Sequence, residues 1–189
     1  MPSTYIARDN DQAYFITMTI IEWIDLFTRT NHKNTIIEAL KHSQQTKGLE
    51  IFAWVIMPSH LHMICRVGEG HVFSDFVRDF KRHTAKQLIA NIQEEPESRR
   101  EWLLEKFKKA GEACKKPQEY KVWQDGYHAI DVWSNKFIYQ KLNYIHMNPV
   151  EDGIVERPED YLYSSARTYA DIDSLLDIVI VPPQLITVR

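Results

Sequence analysis

Cysteine is nearly missing from this chain. Cys65 and Cys114 are the only two in 189 residues, and they form no CxxC pair. That excludes a disulfide scaffold and a zinc knuckle, and fits a reducing, cytoplasmic setting. Glycine is scarce too, at six residues, beside eight prolines. With no low-complexity tract or internal repeat, collagen-like, linker-like and solenoid architectures are excluded. No apolar run reaches membrane-spanning length, and Met1–Arg8 lacks the apolar centre of a signal peptide. No membrane partner is therefore expected. Motifs for ATP or nicotinamide binding are absent as well. An overall excess of positive charge is also lacking, since the net charge is −3. The distribution is uneven, however: Arg78 to Lys121 holds twelve basic and eight acidic residues, +4 in all, which leaves −7 for the remainder. A basic middle in an acidic chain is compatible with a local phosphate-binding face.

What is present is an ordinary globular pattern, long enough for one domain. Tyr14 to Ile20 alternates and is rich in β-branched and aromatic residues, so it reads as a strand. Asn34 to Gln45 has helical spacing, with Gly48 as its stop signal. Ile51 to Met57 is apolar on both faces, and after the Pro58-Ser59 turn His60 to Val67 returns as its hairpin partner. Ser74 reads as the N-cap of a helix to about Ile92, with Phe76, Val77, Phe80, Thr84 and Leu88 as its core stripe. Arg99 to Ala113 reads as a further helix that buries Trp102, Leu103 and Phe107. A short strand is expected near Trp123–Ile130, then a helix capped by Ser134, running from Asn135 to about Met147 and ended by Pro149 and Gly153. This order gives an α+β fold of the ferredoxin-like, split-βαβ plan. It has an antiparallel sheet with the hairpin at its centre, helices packed on one face, and a helical insertion at about 94–121. Residues 1–189 read as a single domain, with a tail from about 154.

Chemistry concentrates in Met57-Pro58-Ser59-His60-Leu61-His62-Met63-Ile64. On a strand, residues i and i+2 share a face, so His60 and His62 present two imidazoles side by side. On the later helix, Tyr144 and Asn148 are four apart and share a face, with Lys141 one turn earlier. If that face meets the histidines, two imidazole nitrogens, an amide oxygen and a phenol converge. Two neutral nitrogens and an oxygen, completed by water and phosphate, suit Mg²⁺ or Mn²⁺ better than structural zinc. The residues alone leave another use open: His60, His62 and His128 as ligands of a zinc hydrolase. No Asp or Glu stands within that motif to serve as its general base.

The histidine stretch resembles the His-hydrophobic-His motif of the IS200/IS605-type single-tyrosine transposases. Tyr144-Ile145-His146-Met147-Asn148-Pro149-Val150, Gly153 and Pro158-Glu159-Asp160-Tyr161 with Ser164-Ser165 are similar to the tyrosine helix and tail of the REP-associated branch. Trp123-Gln124 with His128 matches the segment before that helix. The resemblance covers most of residues 14–170. It implies a DNA transposase of the HUH endonuclease type in which His60, His62 and Asn148 hold a divalent metal, Mg²⁺ or Mn²⁺, and Tyr144 is the nucleophile. Cutting single-stranded DNA would leave a 5′-phosphotyrosine and a free 3′-OH, so that recombination needs no external energy source. A free phenol titrates at about 10 and needs activation, which a nearby cation or the metal could supply; His128 and Lys141 are candidates to support the ligand set from outside. The family reads single strands beside hairpins. Arg78, Lys81, Arg82 and Lys86 are candidates to track phosphates, and Trp123 and Tyr127 to stack an unpaired base. Related enzymes work as homodimers or alone. A protein of the same fold that binds DNA without cutting it is the remaining alternative.

Overall fold

The computed structural model describes residues 12–182 apart from Trp133. The readings made on Met1–Arg8 and on residues 183–189 lie outside these. Strand β1 (Tyr14–Thr19) leads through two short 3-10 turns into helix α1 (Thr30–Lys47). Strands β2 (Glu50–Ile56) and β3 (His60–Arg66) form the hairpin, followed by α2 (Phe73–Glu94), α3 (Arg100–Glu112), β4 (His128–Asp131), α4 (Asn135–Glu151) and the short α5 (Ala166–Tyr169). The sheet order is β2-β3-β1-β4 with every neighbouring pair antiparallel. β3 therefore lies between β1 and β2, which is the split-βαβ plan.

Alternation along the strands separates two faces. Tyr14, Ile16 and Met18 stand opposite Cys65, Met63 and Leu61, and all six are buried. α1 and α2 pack together, and the Phe73 ring of α2 lies 4.9 Å from that of Tyr14. The other face carries Phe15, Thr17 and Thr19 opposite Ile64, His62 and His60. To the expected plan the structure adds a helix here, since α4 lies against β2 and β3 on this second face. Ala53 and Val55, the β2 residues opposite Ile64 and His62, are small or β-branched and let a helix come close.

Several expectations need correction. The hairpin is not central, because β2 is an edge strand. Ala53 to Ile56 are buried on both faces, α4 lying against one of them, and the outer edge is covered as well: Ile56 N–H donates to Tyr163 O (3.0 Å), Ser165 N–H to Trp54 O (2.9 Å), and Trp54 N–H to Ser165 Oγ (2.9 Å). A covered edge cannot recruit another strand. Ser74 does not cap α2, which starts two residues earlier, at Phe73, with Val72 as its N-cap, since burying Phe73 against Tyr14 extends the helix toward the sheet. Ser134 does cap α4 and accepts from Phe137 N–H. Pro149 does not end α4. The helix continues to Glu151 because a proline in the last turn removes a single bond, while Ile154 N–H satisfies its carbonyl at 2.8 Å. In the insertion, Leu103 and Phe107 are fully buried, but Trp102 is 44% exposed. α3 packs against α2, and the returning chain closes over it through Gln118 N–H to Gly111 O and Lys121 N–H to Phe107 O. Any Cβ at Gly111 would collide with the Gln118 carbonyl. Among the described residues no helix is long and apolar enough to cross a membrane.

Candidate active site and nucleic-acid interface

The histidine pair sits where the sequence spacing puts it, on the face of β3 turned toward α4. The two rings are 4.6 Å apart, nearly perpendicular. Each Nδ1 is held from behind: His62 by Thr17 Oγ1 at 2.8 Å, His60 by Ser59 Oγ at 3.0 Å. Both imidazoles thus direct Nε2 away from the strand. His62 also stacks on Phe15, with 5.6 Å between centroids and 21° between planes. Burial above all, then the neighbouring His60 and Lys141, push His62 down to about 3. Burial lowers His60 as well, against the opposing pull of the Asp152 carboxylate. Both rings are therefore neutral at pH 7, the form that donates a lone pair.

α4 delivers the second half. Tyr144 Oη lies 3.4 Å from His62 Nε2 within the same chain, and its ring sits edge-on to His62 and to Phe15. The residue is 39% exposed, so its side chain is partly open to solvent or a substrate. One turn on, Asn148 is buried, and its Nδ2 donates to Tyr144 O at 2.7 Å, a bond that does not use Oδ1. One further turn brings Asp152 within electrostatic reach of His60. The row Tyr144, Asn148, Asp152 therefore runs along the pair from His62 to His60, with Asn148 between. Lys141 places its Nζ 4.6 Å from the Phe15 ring centre and 5.5 Å from that of Tyr144. The helix itself is anchored by Ile145, fully buried, and by His146, whose Nε2 shares a 2.9 Å hydrogen bond with Ser165 Oγ. The tail that covers the β2 edge thus also fixes α4.

His128 is not part of this cluster. It is exposed on β4 opposite Thr17, two strands from His62 and so roughly 9–10 Å away by strand spacing. Among the described residues no group of three His, Cys, Asp or Glu side chains is close enough to share a metal. The zinc site of His60, His62 and His128 is therefore not formed. In His60, His62 and Asn148 the donor types are two neutral imidazole nitrogens and an amide oxygen, a chemistry that fits a hard or borderline divalent ion.

The candidates for DNA contact lie elsewhere. Arg78, Lys81, Arg82, Lys86, Trp123 and Tyr127 line a cleft of about 840 Å³ between α2 and the 118–127 strap, on the opposite side of the sheet. Most of them are already engaged. Arg78 pairs with Asp75 and Asp79, and Arg82 with Asp79. Lys81 donates to the carbonyls of Gln124 and Gly126, and burial pushes its ammonium down to about 8. Trp123 is only 4% exposed, and its Nε1 donates to Thr84 Oγ1 at 3.0 Å, so it is a core residue with no face open to a base. Tyr127 is half-buried, its ring 6.0 Å from Phe73. Arg82 and Lys86 remain exposed. The sequence offered a signal for the pairing: Asp75, Arg78, Asp79 and Arg82 alternate in sign at helical spacing. Three residues at the site went unread. Thr17 was legible from strand alternation and Ser59 from its place beside His60, but Trp23, edge-on to His60 at 5.4 Å, lies in what reads only as a connector.

Comparison with known proteins adds three findings. A family model described as transposase, IS200 like, matches residues 11–106, just over half of the chain. That stretch contains His60 and His62 and stops before Tyr144. A curated protein of Haemophilus influenzae that carries the name REP-associated tyrosine transposase is 24% identical over 153 residues, covering 80% of this chain and 78% of that protein. A solved structure, described as a REP-associated tyrosine transposase bound to a REP hairpin, is similar in fold with a TM-score of 0.65 at 20% identity, covering 100% of this chain and 98% of the other.

Proposed function

The chain belongs to the IS200-like transposase family, and from that premise we propose that it nicks and rejoins single-stranded DNA through Tyr144. The observation that carries this is the approach of the Tyr144 hydroxyl to His62 Nε2, at 3.4 Å within one chain. The Tyr144 oxygen attacks the phosphorus of a phosphodiester and the P–O3′ bond breaks. The electron pair leaves with the 3′ oxygen, which takes a proton from water, while the phenol loses its proton to solvent at this half-exposed position. The products are a 5′-phosphotyrosine and a free 3′-OH. A second 3′-OH reverses the step and releases the tyrosine, so the phosphodiester energy is conserved.

His60, His62 and Asn148 are the residues that would hold Mg²⁺ or Mn²⁺, and the ion, when bound, would make the phosphorus more electrophilic and offset charge on its oxygens. The chain's own groups prepare that arrangement. Thr17 and Ser59 orient the two imidazoles through Nδ1, the kind of support that fixes a ligand's tautomer and ring angle. Burial keeps both rings neutral. Asn148 is tied through Nδ2 to its own helix, which keeps Oδ1 out of that bond. Lys141 sets a positive charge beside the ring on which phenolate charge would form. Since the fold neighbour is described as bound to a REP hairpin, a single strand flanking a hairpin is the substrate class we assign.

The test is a denaturing gel of end-labelled hairpin DNA incubated with the protein and Mn²⁺. A covalent protein–DNA band is expected, and it should vanish with EDTA, with Tyr144→Phe and with His60→Ala. Cutting that survives Tyr144→Phe would overturn the nucleophile. Binding without any cutting would favour a regulator of the same fold.

A further inference from the structure

Trp23 is the most exposed of the large apolar side chains among the described residues, at 61%. A tryptophan that served the core would be buried, as Trp54 (0%) and Trp123 (4%) are. Instead its indole stands beside His60, ring centroids 5.4 Å apart at 74°, with the His62–Tyr144 pair beyond. An aromatic face open to solvent thus flanks the site where Tyr144 meets the histidines.

The backbone under this residue is unusual. Glu22 (φ 51°) and Trp23 (φ 56°) are consecutive left-handed residues, and neither is glycine. Side chains rarely adopt that conformation, and it persists only where the surroundings over-determine it. Here they do. Ile20 N–H donates to Ser59 O, Ile21 N–H to Val122 O and Trp23 N–H to Ile20 O. From the insertion, Lys106 pairs with Glu22 at 2.7 Å and Arg99 with Asp25 at 2.6 Å. Arg99 is the N-cap of α3 and Lys106 lies in its middle, so the entry and the middle of α3 grip both shoulders of the turn.

We propose that Trp23 is a stacking platform for an unpaired nucleobase next to the phosphate cut at Tyr144, and that α3 is the brace that displays it. The proposal rests on the reading of the His60–His62–Tyr144 site as the nicking centre. Stacking on an indole needs only the π-face that every base has, and it takes over the role that buried Trp123 cannot play.

The test measures binding, not cutting, so it does not depend on the nucleophile. A DNA hairpin with a single-stranded oligothymidine tail is titrated by fluorescence anisotropy in the Tyr144→Phe background, with intact tails and with tails carrying one abasic position each. Trp23→Ala should weaken the intact tail by about five- to 150-fold, the range for loss of one base–aromatic stack, and Trp23→Phe should retain most of the affinity. One abasic position should cost the parent a similar factor and cost Trp23→Ala nothing further. Should Trp23→Ala fail to fold by circular dichroism, Trp23→Leu, apolar but without a π-face, should lose the same coupling. Mn²⁺ titration of the DNA-free proteins reads the histidine pair independently and should be unchanged. Unchanged tail affinity in the variant, equal losses for parent and variant at every abasic position, or no tail binding by the parent would overturn the proposal. So would loss of Mn²⁺ binding, which would make Trp23 only a support for His60. Cutting that survives Tyr144→Phe would overturn Tyr144 as the nucleophile while leaving the stacking result intact.

Discussion

The two faces of one sheet each carry residues that the sequence marks as functional, and the structure treats them differently. On the α4 face, His60, His62 and Tyr144 come from a strand and a helix and meet, His62 and Tyr144 being 82 positions apart, with Asn148 one turn on from Tyr144. On the α2 face, three of the four basic residues and both aromatics are held in ion pairs, carbonyl contacts and core packing. The first group has unused lone pairs and an accessible hydroxyl. The second has largely spent its hydrogen-bonding capacity within the protein. Convergence of side chains is thus insufficient to mark a site, and the useful question is which donors and acceptors are left over. Substitutions on the α4 face should therefore damage chemistry and spare the fold, and those in the α2 cleft the reverse.

The largest effect is expected at Tyr144. Tyr144→Phe removes one oxygen from a partly exposed ring, so covalent DNA capture should disappear while the melting temperature stays unchanged. A variant that melts earlier would show that the hydroxyl serves packing, and would blur the contrast. Next comes Trp123→Ala. Emptying a buried tryptophan site costs about 3–5 kcal/mol, enough to unfold a marginal domain at 37 °C. At low temperature the folded fraction should still cut DNA. Loss of DNA binding by folded Trp123→Ala would restore the cleft as an interface.

The same contrast explains how far the sequence could be read. Periodicity carries face information, so His60 with His62, Tyr144 with Asn148, and the alternation of β1 were all legible before any fold was known. What periodicity cannot supply is the environment of each face. That the β2 edge is covered depends on Tyr163–Ser165 reaching back over a hundred residues. That Trp102 is exposed and Trp123 buried depends on how α3 and the strap dock, and tryptophan suits either place. Trp23 was invisible for a different reason: two consecutive left-handed residues without glycine leave no compositional mark. The charge row on α2 was legible in principle, because Asp75 and Asp79 stand at pairing distance from Arg78 and Arg82, but a count of positive charges overlooks the partners.

Acid sharpens the comparison from the side of the helix anchor. Burial pushes His146 down to about 4, from an ordinary 6.5. As pH falls below 6.5 the unfolded chain takes up a proton that the folded chain refuses, so stability present at neutral pH is lost progressively between about 6.5 and 4. The loss assigned to this residue is on the order of 3 kcal/mol. His32 and His62 are lowered in the same direction, so the whole slope belongs to more than one histidine. Urea unfolding in EDTA at stepped pH should give a shallower slope for His146→Gln than for the parent. An equal slope would mean that the His146–Ser165 contact does not anchor α4 through a neutral imidazole.

The smallest effect is expected where the positive charge is densest. In Arg78→Gln with Arg82→Gln, the exposed guanidinium groups lose Asp75 and Asp79, but exposed pairs of this kind contribute little, and Asp79 keeps Lys47 at 2.7 Å. Neither the melting temperature nor the affinity for the tailed hairpin should move by more than about twofold in binding, because cations already neutralised by neighbouring carboxylates release few counterions when DNA arrives. The salt dependence of binding is the sharper readout. If each arginine contacts a phosphate, removing both lowers the slope of log affinity against log salt by about two. If the ion pairs hold, the slope stays where it was. A reduced slope would make the α2 cleft a second track for the strand, and the two faces would then differ in chemistry but not in their use of DNA.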